Sequence, residues 1–165
     1  VDVALRYGPL PDSSLVALPV LLRHHRILCA SPAYVVRHGT PATPEDLTQH
    51  NCLIYQLGGY LYDRWRFSVN GEELSVQVSG NRTSDDSDIV RRWAIAGLGI
   101  IYKSSLDVAQ DLLAGRLVQL CPQWQGEVVP LNLVCANRQR ISPVIQALKS
   151  HLTKHSEQLL ASIHL

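Results

Sequence analysis

The stretch DDSDIVRRWAIAGLGIIYKSSLDVAQDLLAGRLVQLC, Asp85 to Cys121, decides the fold class. Its first third steps by three and four residues: Ile89, Val90, Trp93 and Ala94 share one side, and Asp88 is placed to pair with Arg91 or Arg92, so Asp85 to Ala96 reads as a helix. Gly97 ends it, and the apolar run Ile100 to Lys103 reads as a strand. Another helix starts at Ser104 and stops at Gly115, and Leu117 to Cys121 is the next strand. Helix, strand, helix, strand is the signature of an α/β architecture, for which largely parallel sheets are expected.

The pattern continues outward in both directions. Downstream, Pro130 to Ala136 reads as a strand, and Ser142-Pro143 opens a long helix with Ile145, Leu148, Leu152 and Leu159 at helical steps. Upstream, Trp65, Phe67 and Val69 alternate with polar residues, as do Leu74, Val76 and Val78, around Asn70-Gly71. A two-residue turn there pairs Phe67 with Leu74 and Trp65 with Val76 and makes one face wholly apolar, which predicts a hairpin. Cys52 to Gln56 reads as a strand, while Ser31-Pro32 and Thr43-Pro44-Glu45-Asp46 open two short helices, the first stopped by Gly39. Arg26 to Ala30, Leu15 to Leu22 and Val3 to Leu5 read as extended, with a turn-rich stretch from Gly8 to Ser14.

With 165 residues, 46% hydrophobic and 18% charged, the chain suits one ordinary core or two small lobes. Its formal charge is +1 and its 15 Lys and Arg are scattered, unlike a surface that neutralises phosphates. No apolar run approaches a membrane span and the N-terminus lacks the sections of a signal peptide, so a cytoplasmic location is expected. Cys29, Cys52, Cys121 and Cys135 are far apart and each adjoins aliphatic residues, the pattern of small buried thiols. The chain has no Met and opens inside a strand pattern, which predicts further sequence upstream.

Few residues offer chemistry. Gly97-Leu98-Gly99 follows a helix and precedes a strand, the reverse of a phosphate loop. Asp85, Asp86 and Asp88 open a helix, where they cap free N–H groups, and no calcium-loop Gly and Glu follow. His151 and His155 stand one helical turn apart without an evident third ligand, and His24 and His25 read as ordinary exposed residues. No residue stands out as a nucleophile, so neither catalysis, a resident metal nor a cofactor is expected. What remains is a binding site at the carboxyl ends of strands, where open α/β sheets hold ligands. Those ends are Arg6-Tyr7-Gly8, Ala30-Ser31-Pro32, Tyr55-Gln56, Asn81 to Asp85 before the helix, and Tyr102 to Ser104.

Several phrases carry a family resemblance. VDVALRYGPLPDSSLVALPVL, RILCASPAYVVRHGTPATPEDLTQHNCLIY, the Trp-Arg-Phe strand with its Asn-Gly turn, and VRRWAIAGLGIIYKSSLDVAQDLLAGRLVQLCPQW resemble the effector domain of LysR-type transcriptional regulators. NRQRISPVIQALKSHL is similar to that domain's return helix. The resemblance implies two Rossmann-like α/β lobes joined by two crossover strands, similar to type 2 periplasmic binding proteins, with a small-molecule effector in the cleft. Mapped here, residues 1–28 and 134–165 form part of the first lobe and 29–133 the second. The family's DNA-binding domain and the first strand-helix units of lobe one are not in this sequence, so DNA would be read only through that other domain, in a homodimer or homotetramer.

On this resemblance Arg6, Tyr7, Gly8, Ser31, Pro32, Gln56, Thr83, Ser84, Asp85 and Tyr102 are the expected effector contacts. A small carboxylate or phenolic acid would suit them, although Asp85 and Asp86 could repel an anion. A solute-binding protein of a transport system shares the architecture and stays open as the alternative, as does an enzyme on a similar two-lobed fold.

Overall fold

The computed structural model describes residues 3–10 and 14–163, so part of the turn-rich stretch from Gly8 to Ser14 lies outside the described residues. In chain order the elements are β1 (Val3–Tyr7), β2 (Val16–Leu21), β3 (Arg26–Ala30), α1 (Pro32–His38), a 3-10 turn (Pro44–Gln49), β4 (Ile54–Leu57) and β5 (Tyr60–Leu61). There follow β6 (Arg64–Val69), β7 (Glu72–Gln77), β8 (Thr83–Ser84), α2 (Ser87–Ile95), β9 (Ile101–Ser104), α3 (Ser105–Leu113) and β10 (Val118–Leu120). The last are β11 (Gln125–Gly126), β12 (Leu131–Cys135), a 3-10 turn (Arg138–Arg140) and α4 (Pro143–Ser162).

The chain divides into two compact units, Val1–His24 with Val128–Leu165, and His25–Glu127. The sequence boundaries at residues 28 and 134 fall inside β3 and β12, and each of those strands belongs wholly to one unit. A strand held by its neighbours along its full length cannot be divided without breaking its ladder, so the crossings fall just outside the two strands.

The first unit is an antiparallel sheet of order β1-β12-β2, with Thr153 Oγ1 of α4 donating to Val20 C=O of β2 at 3.1 Å. The second is built around β10-β3-β9. Leu53 N–H donates to Ile100 C=O, and Ile100 N–H to Asn51 C=O, each at 2.9 Å, which brings the segment leading into β4 parallel to the start of β9. β4 then pairs with β8, again in parallel. The expectation of largely parallel sheets is corrected: among the described residues only these two pairings are parallel. β3 enters the second unit and β12 re-enters the first, and each runs against the strands beside it.

Period-two alternation gives the second unit's sheet two apolar faces. On one, Leu28, Ala30, Ile54 and Tyr102 pack with Trp65, Phe67 and Val76 of the β6–β7 hairpin. On the other, Ile27, Cys29, Leu53 and Ile101 pack with Val90 and Ala94 of α2 and Val108 of α3. The hairpin has the predicted register, Trp65 opposite Val76 and Phe67 opposite Leu74. Ser31, Asp86, Ser104 and Ser142 cap α1, α2, α3 and α4 through their side chains.

Candidate functional site

Three strands of the second unit, β4, β8 and β9, carry polar side chains on its helix-covered face. Tyr55 lies beside Ser84 in the parallel β4–β8 register, and the parallel Cys52–Ile100 bridge joins the segment leading into β4 to the start of β9, the strand that carries Lys103. Tyr55 and Ser84 side by side, with Lys103 on the strand that starts next to the lead-in of β4, make up a row toward the carboxyl ends of β4, β8 and β9. α2 and α3 begin just beyond it, as ligand sites of open α/β sheets require.

The row is polar and well ordered. Lys103 is buried; its Nζ donates to Ser87 C=O at 3.1 Å and to Ser87 Oγ, and it pairs with Asp107 at 3.4 Å, tying the first turns of α2 and α3 to β9. Burial lowers its pKa from the ordinary lysine value, against the opposing pull of Asp107. The Tyr55 ring stacks on Tyr62 with centroids 5.5 Å apart, and Tyr60 meets Tyr62 edge-on at 4.9 Å. Burial, with the negative charge of Asp85 and Asp86 close by, raises the Tyr55 pKa and keeps its phenol protonated. Ser84 Oγ accepts from Asp86 N–H at 3.0 Å, and Asp86 Oδ1 accepts from Asp88 N–H at 2.8 Å, so this loop is held by its own bonds. Asp85 is exposed beside it.

The sequence-predicted residues divide around this row. Ser84 and Asp85 belong to it. Gln56 and Thr83 are one position out of phase with Tyr55 and Ser84, and by alternation they point to the hairpin side. Tyr102 also lies on that side, where its hydroxyl donates to Arg66 C=O at 2.5 Å and accepts from Glu127 N–H at 2.7 Å, fixing β9 to the hairpin and to the outgoing crossover. The expectation that Ser31 and Pro32 converge with Ser84 is corrected. β3 is antiparallel to β9 with Ile27 level with Lys103, so Ser31 stands four residues further along, roughly 13 Å away at the opposite end of the sheet. There Ser31 caps Tyr34 N–H at 3.1 Å beside Gly97.

Arg6, Tyr7 and Gly8 belong to the first unit, at the end of β1 nearest its crossovers. Gly8 N–H donates to Pro130 C=O at 2.9 Å, and the Tyr7 ring lies 5.6 Å from that of His24.

Sequence reasoning missed Tyr62, Arg26 and Glu127 as neighbours of the site, and had Lys103 only as part of the strand end Tyr102 to Ser104. Arg26 Nε pairs with Glu127 Oε1 at 3.0 Å, while Arg26 N–H donates to Glu127 C=O at 2.9 Å, so the entering and leaving segments clasp each other. The signal for Lys103 was a lysine closing an apolar strand just before a helix cap. Among the described residues no group of three or more His, Cys, Asp or Glu gathers for a metal. All four cysteines are free and buried, and burial raises the thiols of Cys29, Cys52 and Cys121, that of Cys52 to about 12, so these stay protonated and unreactive. No helix among the described residues is long and apolar enough to cross a membrane.

The chain matches the LysR substrate binding domain over residues 1–157. It belongs to that family. The transcriptional activator TtdR of Escherichia coli is 34% identical over 125 residues, which are 75% of this chain and 40% of that protein. The CrgA regulatory domain of Neisseria meningitidis superposes with a TM-score of 0.78 at 27% identity, covering 94% of this chain and 75% of that one. Full-length AphB, a virulence activator of Vibrio cholerae, gives 0.70 at 26% identity, covering 93% of this chain and 51% of that one. The LysR substrate binding domain thus spans about two-fifths of the curated relatives it resembles, and its fold is the two-lobed, periplasmic-binding-protein-like α/β class.

Proposed function

We propose that this domain senses a small-molecule effector for a LysR-type transcriptional regulator, without chemistry on the ligand. The family match over residues 1–157 carries the reading, and the relatives' own description as regulators favours it over solute transport. In this reading the full protein is a cytoplasmic homo-oligomer that meets DNA through another domain. The effector shifts its states only if it binds them unequally.

Within the second unit, the effector engages the row Lys103, Tyr55 and Ser84 with Asp85 at its rim, while Gln56 and Thr83 lie on the other face of the same strands. Arg6, Tyr7 and Gly8 are the first unit's candidate contacts. A small carboxylate or phenolic acid is the class proposed for the second unit's set: its ring or chain lies against Tyr55 and its polar groups meet Ser84, with the Lys103 ammonium and the first turns of α2 and α3 offsetting the charge of Asp85 and Asp86.

A thermal-shift screen of small carboxylates and phenolic acids tests the proposal, since a ligand selective for the folded state raises its midpoint. Ser84→Ala and Tyr55→Ala should remove the shift given by any hit. Wild-type shifts surviving in both variants would place the ligand elsewhere, and a screen with no hit in these classes would reject the effector class.

A further inference from the structure

We propose that His151 and His155 form a chelate for a borderline divalent transition cation, Cu²⁺ ahead of Zn²⁺, on the outer side of α4. The inner side of this helix is marked by Thr153, which donates to β2, and by buried Ser156. At 100° per residue, positions 151 and 155 each lie about 160° from position 153 around the axis, so both project outward. Both side chains are exposed, their rings are parallel within 5°, and the centroids are 6.3 Å apart. Among the described residues neither ring has a hydrogen-bond or ion-pair partner, so a cation would compete with no internal contact.

The spacing suits the chemistry. Histidines four residues apart on a helix are the pair that zinc proteases use, because one turn sets both imidazoles on the same side. Turning two exposed rings about their side-chain bonds brings a nitrogen of each to the roughly 2.0–2.1 Å that Zn–N bonds require, at little cost beyond rotamer freedom. No third His, Cys, Asp or Glu joins them among the described residues, so water completes the coordination and the ion exchanges readily. Imidazole without carboxylate excludes Mg²⁺ and Ca²⁺, which need oxygen ligands, and the ordinary order of divalent affinity puts Cu²⁺ above Zn²⁺.

The test is titration of the untagged chain with Cu²⁺, followed by electron paramagnetic resonance, for the wild type, His151→Gln, His155→Gln and the double variant. His38→Gln serves as a control on α1, and circular dichroism checks each fold. The expected result is one exchangeable equivalent bound through two nitrogens. Each single variant at position 151 or 155 should weaken it by about a hundredfold, the loss when a two-point attachment becomes single. Zn²⁺ should displace Cu²⁺ only in excess, and Mg²⁺ not at all. A two-nitrogen signal persisting in the double variant, or single variants that bind as tightly as the wild type, would overturn the proposal.

Discussion

Asp111 shows how a charge is held inside this chain. Its carboxylate is fully buried and accepts from Arg91 Nε and Nη2 at 2.6 and 2.9 Å and from Arg116 Nε at 2.7 Å. Burial alone would raise its pKa, but the hydrogen bonds from Arg91 and Arg116 outweigh that and hold it below the ordinary 3.8. A carboxylate with a depressed folded pKa stabilises the fold at pH above its unfolded value, and that stabilisation is lost as pH falls through the folded one. Asp111→Asn should therefore cost about 3 kcal/mol in denaturant unfolding at neutral pH, at the lower end for a broken buried pair because both arginines still reach solvent. The difference from the wild type should shrink as pH falls below about 4, where the carboxylate of the unfolded wild type begins to protonate, and close once the depressed folded carboxylate protonates too. A deficit unchanged at low pH would show that the cost is packing rather than charge. Asp111 reads in the sequence only as an acid within a helix, since its partners at 91 and 116 are far along the chain or just past the helix end. Ser31 shows the reverse limit: its cap is legible from Ser-Pro, but its end of the sheet depends on the antiparallel entry of β3.

At the scale of elements, local signals were read well and pairings between distant strands were not. The β6–β7 register follows from alternation and an Asn-Gly turn, both contained within a few residues, and Asn70 and Gly71 take the positive φ values, 51° and 80°, that this turn needs. Phe67 presents its ring 4.9 Å from that of Tyr102 and is buried with Trp65 and Val76. Phe67→Ala should cost about 3–5 kcal/mol by the usual cavity penalty, measured as a change in unfolding midpoint at constant slope. A loss under roughly 1 kcal/mol would mean that this face packs against nothing. The direction of β3 was not legible, because an apolar strand pattern is the same read parallel or antiparallel. That one ambiguity moved Ser31 and Pro32 away from the row, and strand alternation set Gln56 and Thr83 on the other side. Gly126 marks the same junction: a Cβ there would lie 1.9 Å from Arg26 C=O and 2.8 Å from the Tyr102 hydroxyl, so only glycine lets the crossover strand pass.

At the scale of the whole molecule, the two units differ in how much apolar surface each buries. Both large hydrophobic clusters, one on each face of the sheet, belong to the second unit. The first has a three-stranded sheet with Leu5 half exposed, and α4, twenty residues long, buries only Ser156 among its described side chains. Local opening costs least where few apolar contacts must be broken, so this asymmetry sets an order of opening. Hydrogen exchange on the chain should show the amides of β3, β9 and α3 protected far longer than those of β1 and α4. The boundary should fall near His24 and Val128, where the backbone leaves one hydrogen-bonded unit for the other. Exchange with one common rate across both units would show instead that they open together, and that the first draws its stability from the second.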